Sequence, residues 1–361
     1  MTDDSNDTET IEQVREELER PVFNPQLVPI LLDDNTIHVR AGPWSGPIYT
    51  ISDIDEDDDI GALFDLIDGE THVDEIFAAF EADQRPEVAD VLYALADSNA
   101  IYDADAVDGP MYSHLVLKSR FRERERRRLE EQSVLVVDDS RMGEHVAEDV
   151  LAMGVAAVGY VGLDSQRLPA AGSDDDRLTA VTEDELPGAV DDADFVAYLA
   201  DGPSKTIRDV NEYAIETGTP WIVGQIRGFD GIVGPAMFPG ETACYECFHR
   251  RMLSNVSNIG GYETFETERE DSSVATASLP MFSRTVAGHL SLDLLHLLAF
   301  GVGYTAGRVL TINSLNLAME VNEVLKLPRC GACGRDPSPD VSRFITLDDM
   351  VLGSRQSAED D

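Results

Sequence analysis

Lysine is nearly absent from this chain: it occurs only as Lys118, Lys205 and Lys326, and the rest of the 27 basic residues are arginine. Against them stand 70 Asp and Glu, so the 361 residues carry a formal charge of −43. A surface this negative repels phosphate and argues against general nucleic-acid binding. Tryptophan is scarce, with 2 residues, yet 13 Phe, 10 Tyr and 43% hydrophobic content exclude a wholly disordered acidic chain. Long apolar runs are also missing. The longest, Ser291 to Phe300, is broken by Asp293 and His296 and is too short to cross a bilayer. The start, Met1-Thr2-Asp3-Asp4, lacks the basic and apolar regions of a secretory signal, so a cytoplasmic location is expected.

Familiar catalytic constellations are absent too. No Ser-His-Asp, Cys-His or HExxH arrangement occurs, and the 7 His are scattered. His249, His289 and His296 fall on helical patterns and read as packing or surface residues. The glycine-rich turn of a nucleotide site is also missing. After the apolar strand run Ser133 to Val137, the G-x-G-x-x-G slot reads Asp138-Asp139-Ser140-Arg141-Met142-Gly143. Only the last glycine remains, and two carboxylates stand where a polyphosphate would approach the helix N-terminus. Nucleotide binding at this turn is therefore expected to be lost. Asp164 stands about where a ribose-binding acid would, and a plain loop residue explains it equally well.

What is present in matched pairs is cysteine. Cys244-x-x-Cys247 and Cys330-x-x-Cys333 account for all 4. In a reducing compartment, two CxxC turns with none left over favour a zinc site over disulfides, because each knuckle supplies two of the four thiolates that tetrahedral zinc takes. The 82 residues between the pairs (248–329) far exceed a zinc ribbon, so the site is expected to clamp two remote segments of one domain. Free thiols, or a single redox CxxC, would leave the second pair unexplained.

Along the chain, residues 1–24 read as an acidic, solvated tail. Residues 25–110 read as a small domain: an apolar stretch at Leu27 to Leu32, a strand with alternating Ile37 and Val39, and another strand at Ile48 to Ile51. Three short helices follow, each with an i, i+3, i+4, i+7 stripe: Ile60-Leu63-Phe64-Ile67, Val73-Ile76-Phe77-Phe80 and Val88-Val91-Leu92-Leu95. Gly69 is placed as the end of the first, a Thr71-x-x-Asp74 capping box as the start of the second, and Pro86 in the first turn of the third. Strands followed by three helices look like a winged-helix domain. Such domains often bind DNA, but Glu81, Asp83, Glu87 and Asp90 oppose that here. The other use of the shape is pairing an extended peptide with an exposed sheet edge. Lys118 to Arg128 is the one basic segment, a charged connecting helix or a docking face for an acidic partner. Residues 111–335 then alternate strands and helices, which implies a mostly parallel α/β sheet. Within them 171–192 read as an acidic loop. Phe344 to Leu347 is a candidate short strand in a C-terminal acidic tail, 336–361.

The stretch from Trp221 to Asn255 resembles the ThiF-like (ubiquitin-activating-type) superfamily. Closer still is the branch of leader-peptide-binding partners of YcaO cyclodehydratases, which install azolines (thiazole and oxazole precursors) in ribosomally made peptides of the bacteriocin type. The matching residues are Val233-Gly234-Pro235, Pro239-Gly240, Cys244-Tyr245-x-Cys247, Arg251, Ser254-Asn255 and Leu327-Pro328-Arg329-Cys330-x-x-Cys333. The acidic, lysine-poor composition resembles that of salt-in halophiles and so implies a haloarchaeal type. The resemblance implies a winged-helix-like peptide-recognition domain plus a Rossmann-like ThiF-type α/β domain with a four-cysteine zinc clamp. It implies a non-catalytic subunit that binds a precursor's leader and presents the core to a separate YcaO enzyme. The edge strand residues Ile48, Tyr49, Thr50 and Ile51, with Val88, Val91 and Leu92 of the third helix, would flank the groove. Metal ligands would be Cys244, Cys247, Cys330 and Cys333, with zinc as the cofactor. The competing reading is a divergent ATP-dependent adenylyltransferase of the ThiF type. A homodimer is compatible with either.

Overall fold

The computed structural model describes residues 4–33, 36–44, 48–52, 60–106, 113–115, 123–163, 174–270 and 278–335. The chain divides into two compact units, Met1–Arg124 and Glu125–Asp361. The division falls inside the basic segment Lys118 to Arg128. Asp164 and the expected strand at Phe344 to Leu347 lie outside the described residues.

The first unit begins with helix α1 (Asp4–Glu17) and strand β1 (Pro21–Phe23). Strands β2 (Val28–Asp33), β3 (Thr36–Arg40) and β4 (Ile48–Ser52) form an antiparallel sheet in that order. Helices α2 (Ile60–Asp65), α3 (Val73–Ala79) and α4 (Arg85–Asp97) follow, and β5 (Ile101–Asp103) returns to pair antiparallel with β1. A helical turn at 113–115 is α5. Alternation decides which sheet face is covered. Ile37 and Val39 are buried at 2% and 0% exposure, while Thr36, His38 and Arg40 between them stay half-buried. The three apolar helix stripes close over that inner face, with Leu63, Ile76, Phe77 and Leu92 in one core.

The solvated tail expected over 1–24 is not what forms. Ile11, Val14 and Leu18 make a stripe on one helical face, and Val14 and Leu18 are 1% and 3% exposed within the same core. Glutamates on the other face hid this stripe in the composition. Arg15 sits 5.5 Å over the Phe77 ring and pairs with Asp74 at 2.8 Å, which joins α1 to α3. The start of α3 also differs from expectation. Its cap is His72, whose Nδ1 accepts from Asp74 N at 3.1 Å, while the Thr71 hydroxyl donates to Asp68 instead.

Helix α6 (Glu123–Glu130) crosses the division, and the second unit carries an eight-stranded sheet. Strands β6 (Ser133–Asp139), β7 (Ala157–Gly162), β8 (Leu178–Ala180), β9 (Phe195–Asp201) and β10 (Trp221–Arg227) run parallel. Strands β11 (Asp230–Met237), β12 (Arg308–Asn313) and β13 (Met319–Glu323) continue antiparallel, giving the order β13-β12-β11-β10-β9-β6-β7-β8. The acidic stretch 171–192, expected as a loop, contains β8 and α8 (Leu186–Asp192), whose Leu186 and Val190 are buried. Its few apolar residues suffice because each meets the central sheet. Helices α7 (Met142–Ala152), α9 (Thr206–Thr217), α10 (Tyr245–Leu253), α11 (Ile259–Glu270) and α12 (Pro280–Phe300) complete the unit. The 21-residue α12 lies close on the sheet: a Cβ at Gly231 would stand 2.5 Å from the Val286 side chain, so only glycine admits the helix there. No described helix is long and apolar enough to cross a membrane.

Candidate functional site

Cys244 is the N-cap of α10 and Cys247 lies in its first turn. The second pair forms its own knuckle, in which Cys330 N donates to Leu327 O at 3.2 Å and Gly334 N donates to Cys330 O at 3.1 Å. Backbone contacts bring the two knuckles together: Leu327 N donates to the Cys247 sulfur at 3.4 Å, and the Arg251 guanidinium donates to the carbonyls of Leu325 and Lys326. The four sulfurs lie within 4.8 Å of one another. The shortest separations are 3.8 Å for Cys244–Cys247 and 3.6 Å for Cys244–Cys330 and Cys247–Cys333. A disulfide needs about 2.05 Å. Four thiolates at the ~2.3 Å bond length of tetrahedral zinc stand about 3.8 Å apart, so the cluster has the spacing of a four-coordinate ion site.

Electrostatics agree with that geometry. Cys247 is held far below the usual thiol range, first by its contact with Cys244 and then by Cys333. Cys244 is pushed far up, first by the same contact with Cys247. Cys247 therefore holds a thiolate at the expense of Cys244, and a cation between them would let both ionise. Three of the four cysteines are buried, so such an ion would be structural and closed to solvent.

The cysteine helix is anchored from behind. Asn211 of α9 accepts from Tyr245 N at 2.9 Å, satisfying one of the open N–H groups at the helix start. Tyr245 stacks on His249 with centroids 5.9 Å apart, and His249 meets Glu266 at 2.9 Å. Arg227, at the end of β10, reaches Glu266, Tyr262 and Tyr245 together. Burial alone would raise the Glu266 carboxyl, but His249 and Arg227 outweigh it and hold it at about 2. This network was not read from the sequence, because its members come from β10, α10 and α11. Glu266 is one of four glutamates of α11, and nothing in the sequence marks it as the buried one.

The turn between β6 and α7 is closed from within. Asp138 is 3% exposed. Ser140 donates to one carboxylate oxygen at 2.7 Å, Tyr160 to the other at 2.8 Å, and Gly143 N also donates to the group. Met142 N donates to the Ser140 hydroxyl at 3.0 Å. Two N–H donors at the start of α7, the kind a phosphate would use, are thus already spent on side chains of the turn. Burial pushes Asp138 up to about 6 despite these bonds. The two carboxylates do not act alike as surface charges: Asp138 is an internal cap. Gly143 is what lets it fit, since a Cβ there would sit 2.5 Å from the Asp138 side chain.

In the first unit, β4 pairs with β3 alone among the described residues. Ile48 and Thr50 are exposed, and Tyr49 and Ile51 turn half-buried toward the helices, with Tyr49 OH on Ser98 O at the end of α4. Val91 is half-buried on α4. Val88 and Leu92 are at 6% and 0% exposure inside the core, so neither is available to line a surface groove.

Comparison with known proteins adds to this picture. Residues 174–332 match the ThiF family. The second unit therefore holds a ThiF domain in a Rossmann-like mixed sheet, and the match begins beyond the closed β6–α7 turn. Among solved structures, a heterocyclase in complex with substrate and cofactor superimposes with a TM-score of 0.63 at 15% identity, over 88% of this chain and 40% of that one. The heterocyclase TruD gives 0.63 at 14%, over 93% and 47%. E. coli MccB with MccA-N7isoASN gives 0.56 at 15%, over 87% and 99%. At these identities the likeness is one of fold. The chain spans less than half the length of the two heterocyclases. No curated protein sequence matches it.

Proposed function

We propose that this chain is a non-catalytic subunit that binds the leader of a precursor peptide and presents its core to a separate YcaO-type cyclodehydratase for azoline formation. The observation that carries the reading is the Asp138 cap. The turn between β6 and α7 of the Rossmann-like unit is filled by its own carboxylate, while in the first unit β4 pairs on one side only among the described residues. A strand edge offers a peptide main-chain hydrogen bonds, and the half-buried Tyr49, Ile51 and Val91 offer it apolar contact. The fold shared with heterocyclases supports a place in the same chemistry. The exposed acids Glu87 and Asp90 on α4 favour a basic leader. Zinc is the ion proposed for the four cysteines, in a structural role that joins α10 to the segment after β13.

The second reading is an adenylyltransferase. It is favoured by the likeness to E. coli MccB with ATP, at a TM-score of 0.58 over 99% of that chain. Two measurements on the full chain in molar salt separate them. Binding of a synthetic leader from a neighbouring open reading frame, with no ATP–pyrophosphate exchange, is the expected result. Exchange activity without leader binding would overturn the proposal.

A further inference from the structure

Strand β2 breaks a rule that its neighbour keeps. An antiparallel sheet with one solvated face alternates apolar and polar residues, and β3 does so. Strand β2 instead reads Val28-Pro29-Ile30-Leu31-Leu32, apolar throughout, which is the pattern of a strand covered on both faces. Yet Val28, Ile30, Leu31 and Leu32 are all exposed. The register places two of them on one face. Ile37 and Val39 of β3 turn to the helices, so His38 and Arg40 turn outward, and their cross-strand partners share that outer face. One row is Val28-Arg40-Ile48 and the next is Ile30-His38-Thr50. Val28, Ile30 and Ile48 are 55%, 43% and 55% exposed there. Pro29 has no N–H to give, so β2 offers a partner its face rather than its edge.

Charge sets the same face apart. From Pro21 to Leu32 and from Asn35 to Ser52 there is no Asp or Glu, in a chain where 70 of 361 residues are acidic. Past Arg40, Trp44 is 95% exposed. The Arg40 guanidinium donates to Gly42 O at 2.8 and 3.1 Å and to Pro43 O at 3.4 Å, which fixes the turn that carries this tryptophan. An aromatic on a pinned turn, beside an apolar face free of carboxylates, has the composition of a protein interface core, where Trp and Arg are enriched and acids are depleted. A bilayer fits less well, because a chain of charge −43 is repelled by an anionic membrane surface.

We propose that the outer face of β2-β3-β4, with Trp44 at its end, docks an apolar helix face of the separate cyclodehydratase. A helix is the element that covers a sheet face in layered domains. The identity of the partner rests on the function proposed above. More than half of each matched heterocyclase lies outside the fold shared with this chain, so a catalytic partner has further elements with which to meet this face. Titration of the full chain in molar salt with the cyclodehydratase encoded by a neighbouring reading frame tests the docking, with leader binding measured alongside. Ile30→Glu, on the far side of the sheet from β4, and Trp44→Ala each replace an exposed residue. Each should weaken the enzyme complex about tenfold or more, with circular dichroism and leader affinity unchanged. A wild type that does not associate with the enzyme, or variants that associate as tightly as wild type, would overturn the docking face. Weakening by both variants in a protein that binds no leader would uphold the docking face and overturn the leader reading. Binding to phosphatidylcholine vesicles that Trp44→Ala abolishes, with no enzyme association, would assign the face to a membrane instead.

Discussion

The two units treat their free polar groups in opposite ways. In the first, the thin sheet β2-β3-β4 leaves strand β4 unpaired on one side among the described residues, with a half-buried apolar wall beside it. In the second, the turn between β6 and α7 is filled by side chains of the chain itself. Asp138 accepts from Gly143 N and the Ser140 hydroxyl from Met142 N at the start of α7, and Arg227 and Glu266 satisfy each other behind α10. The contrast teaches where recognition can occur. An unpaired strand edge leaves main-chain groups on offer, whereas the N–H groups of Met142 and Gly143 at the β6–α7 turn are already bonded to Ser140 and Asp138.

The comparison can be broken at several points, and the largest effect is expected at the cysteines. Cys244→Ser or Cys330→Ser should abolish metal binding and cost the second unit several kcal/mol, because ligand energy there is folding energy. Metal analysis with thermal melting checks this, and two variants with full metal and unchanged melting would refute the clamp. Next comes Glu266→Ala, which strands Arg227 and His249 in a buried site. A loss of about 3–5 kcal/mol is expected, read by denaturant unfolding. On α4, neighbouring positions should separate stability from binding. Leu92→Ala should cost about 2–5 kcal/mol of the first unit. Val91→Thr, similar in shape, should cost far less stability than Leu92→Ala yet weaken leader binding roughly tenfold, or about 1.4 kcal/mol, by titration calorimetry.

The smallest effect is one of pH. Asp138 has a folded-state value near 6, above the usual 3.8. Folding therefore favours its protonated form. The stability this gives is complete below about pH 4 and is lost as pH rises through about 6. Asp138→Asn keeps the shape and removes that loss. Its melting temperature should exceed the wild type's at about pH 7–8, with the gap closing by about pH 4. A constant gap would show that Asp138 is not the titrating cap.

Much of the fold was legible because its signals are local. The stripes at Leu63, Ile76 and Leu92 and the alternation at Ile37 and Val39 report directly which face meets a core. The elements missed were those where acidity outnumbers the apolar residues: α1, with Val14 and the following Leu18 buried, and α8, with Leu186 and Val190. Two buried side chains per short helix are enough when a core is waiting, and no window of sequence shows that it is. The cap at His72 was missed for a similar reason, since Thr71 satisfied the motif but its hydroxyl turned to Asp68.

The sequence by itself determined the four-cysteine set, the missing phosphate glycines and the charge, because each depends only on residue type and spacing. It could not decide whether the cysteine pairs, 82 residues apart, would meet, nor whether Asp138 would repel a phosphate from the surface or replace it from within. Those outcomes depend on Leu327 reaching Cys247 and on Tyr160 of the neighbouring strand reaching Asp138. Only the folded sheet sets these distances, because hydrogen bonds and sulfur contacts act over about 3–4 Å between residues that the chain separates by tens of positions.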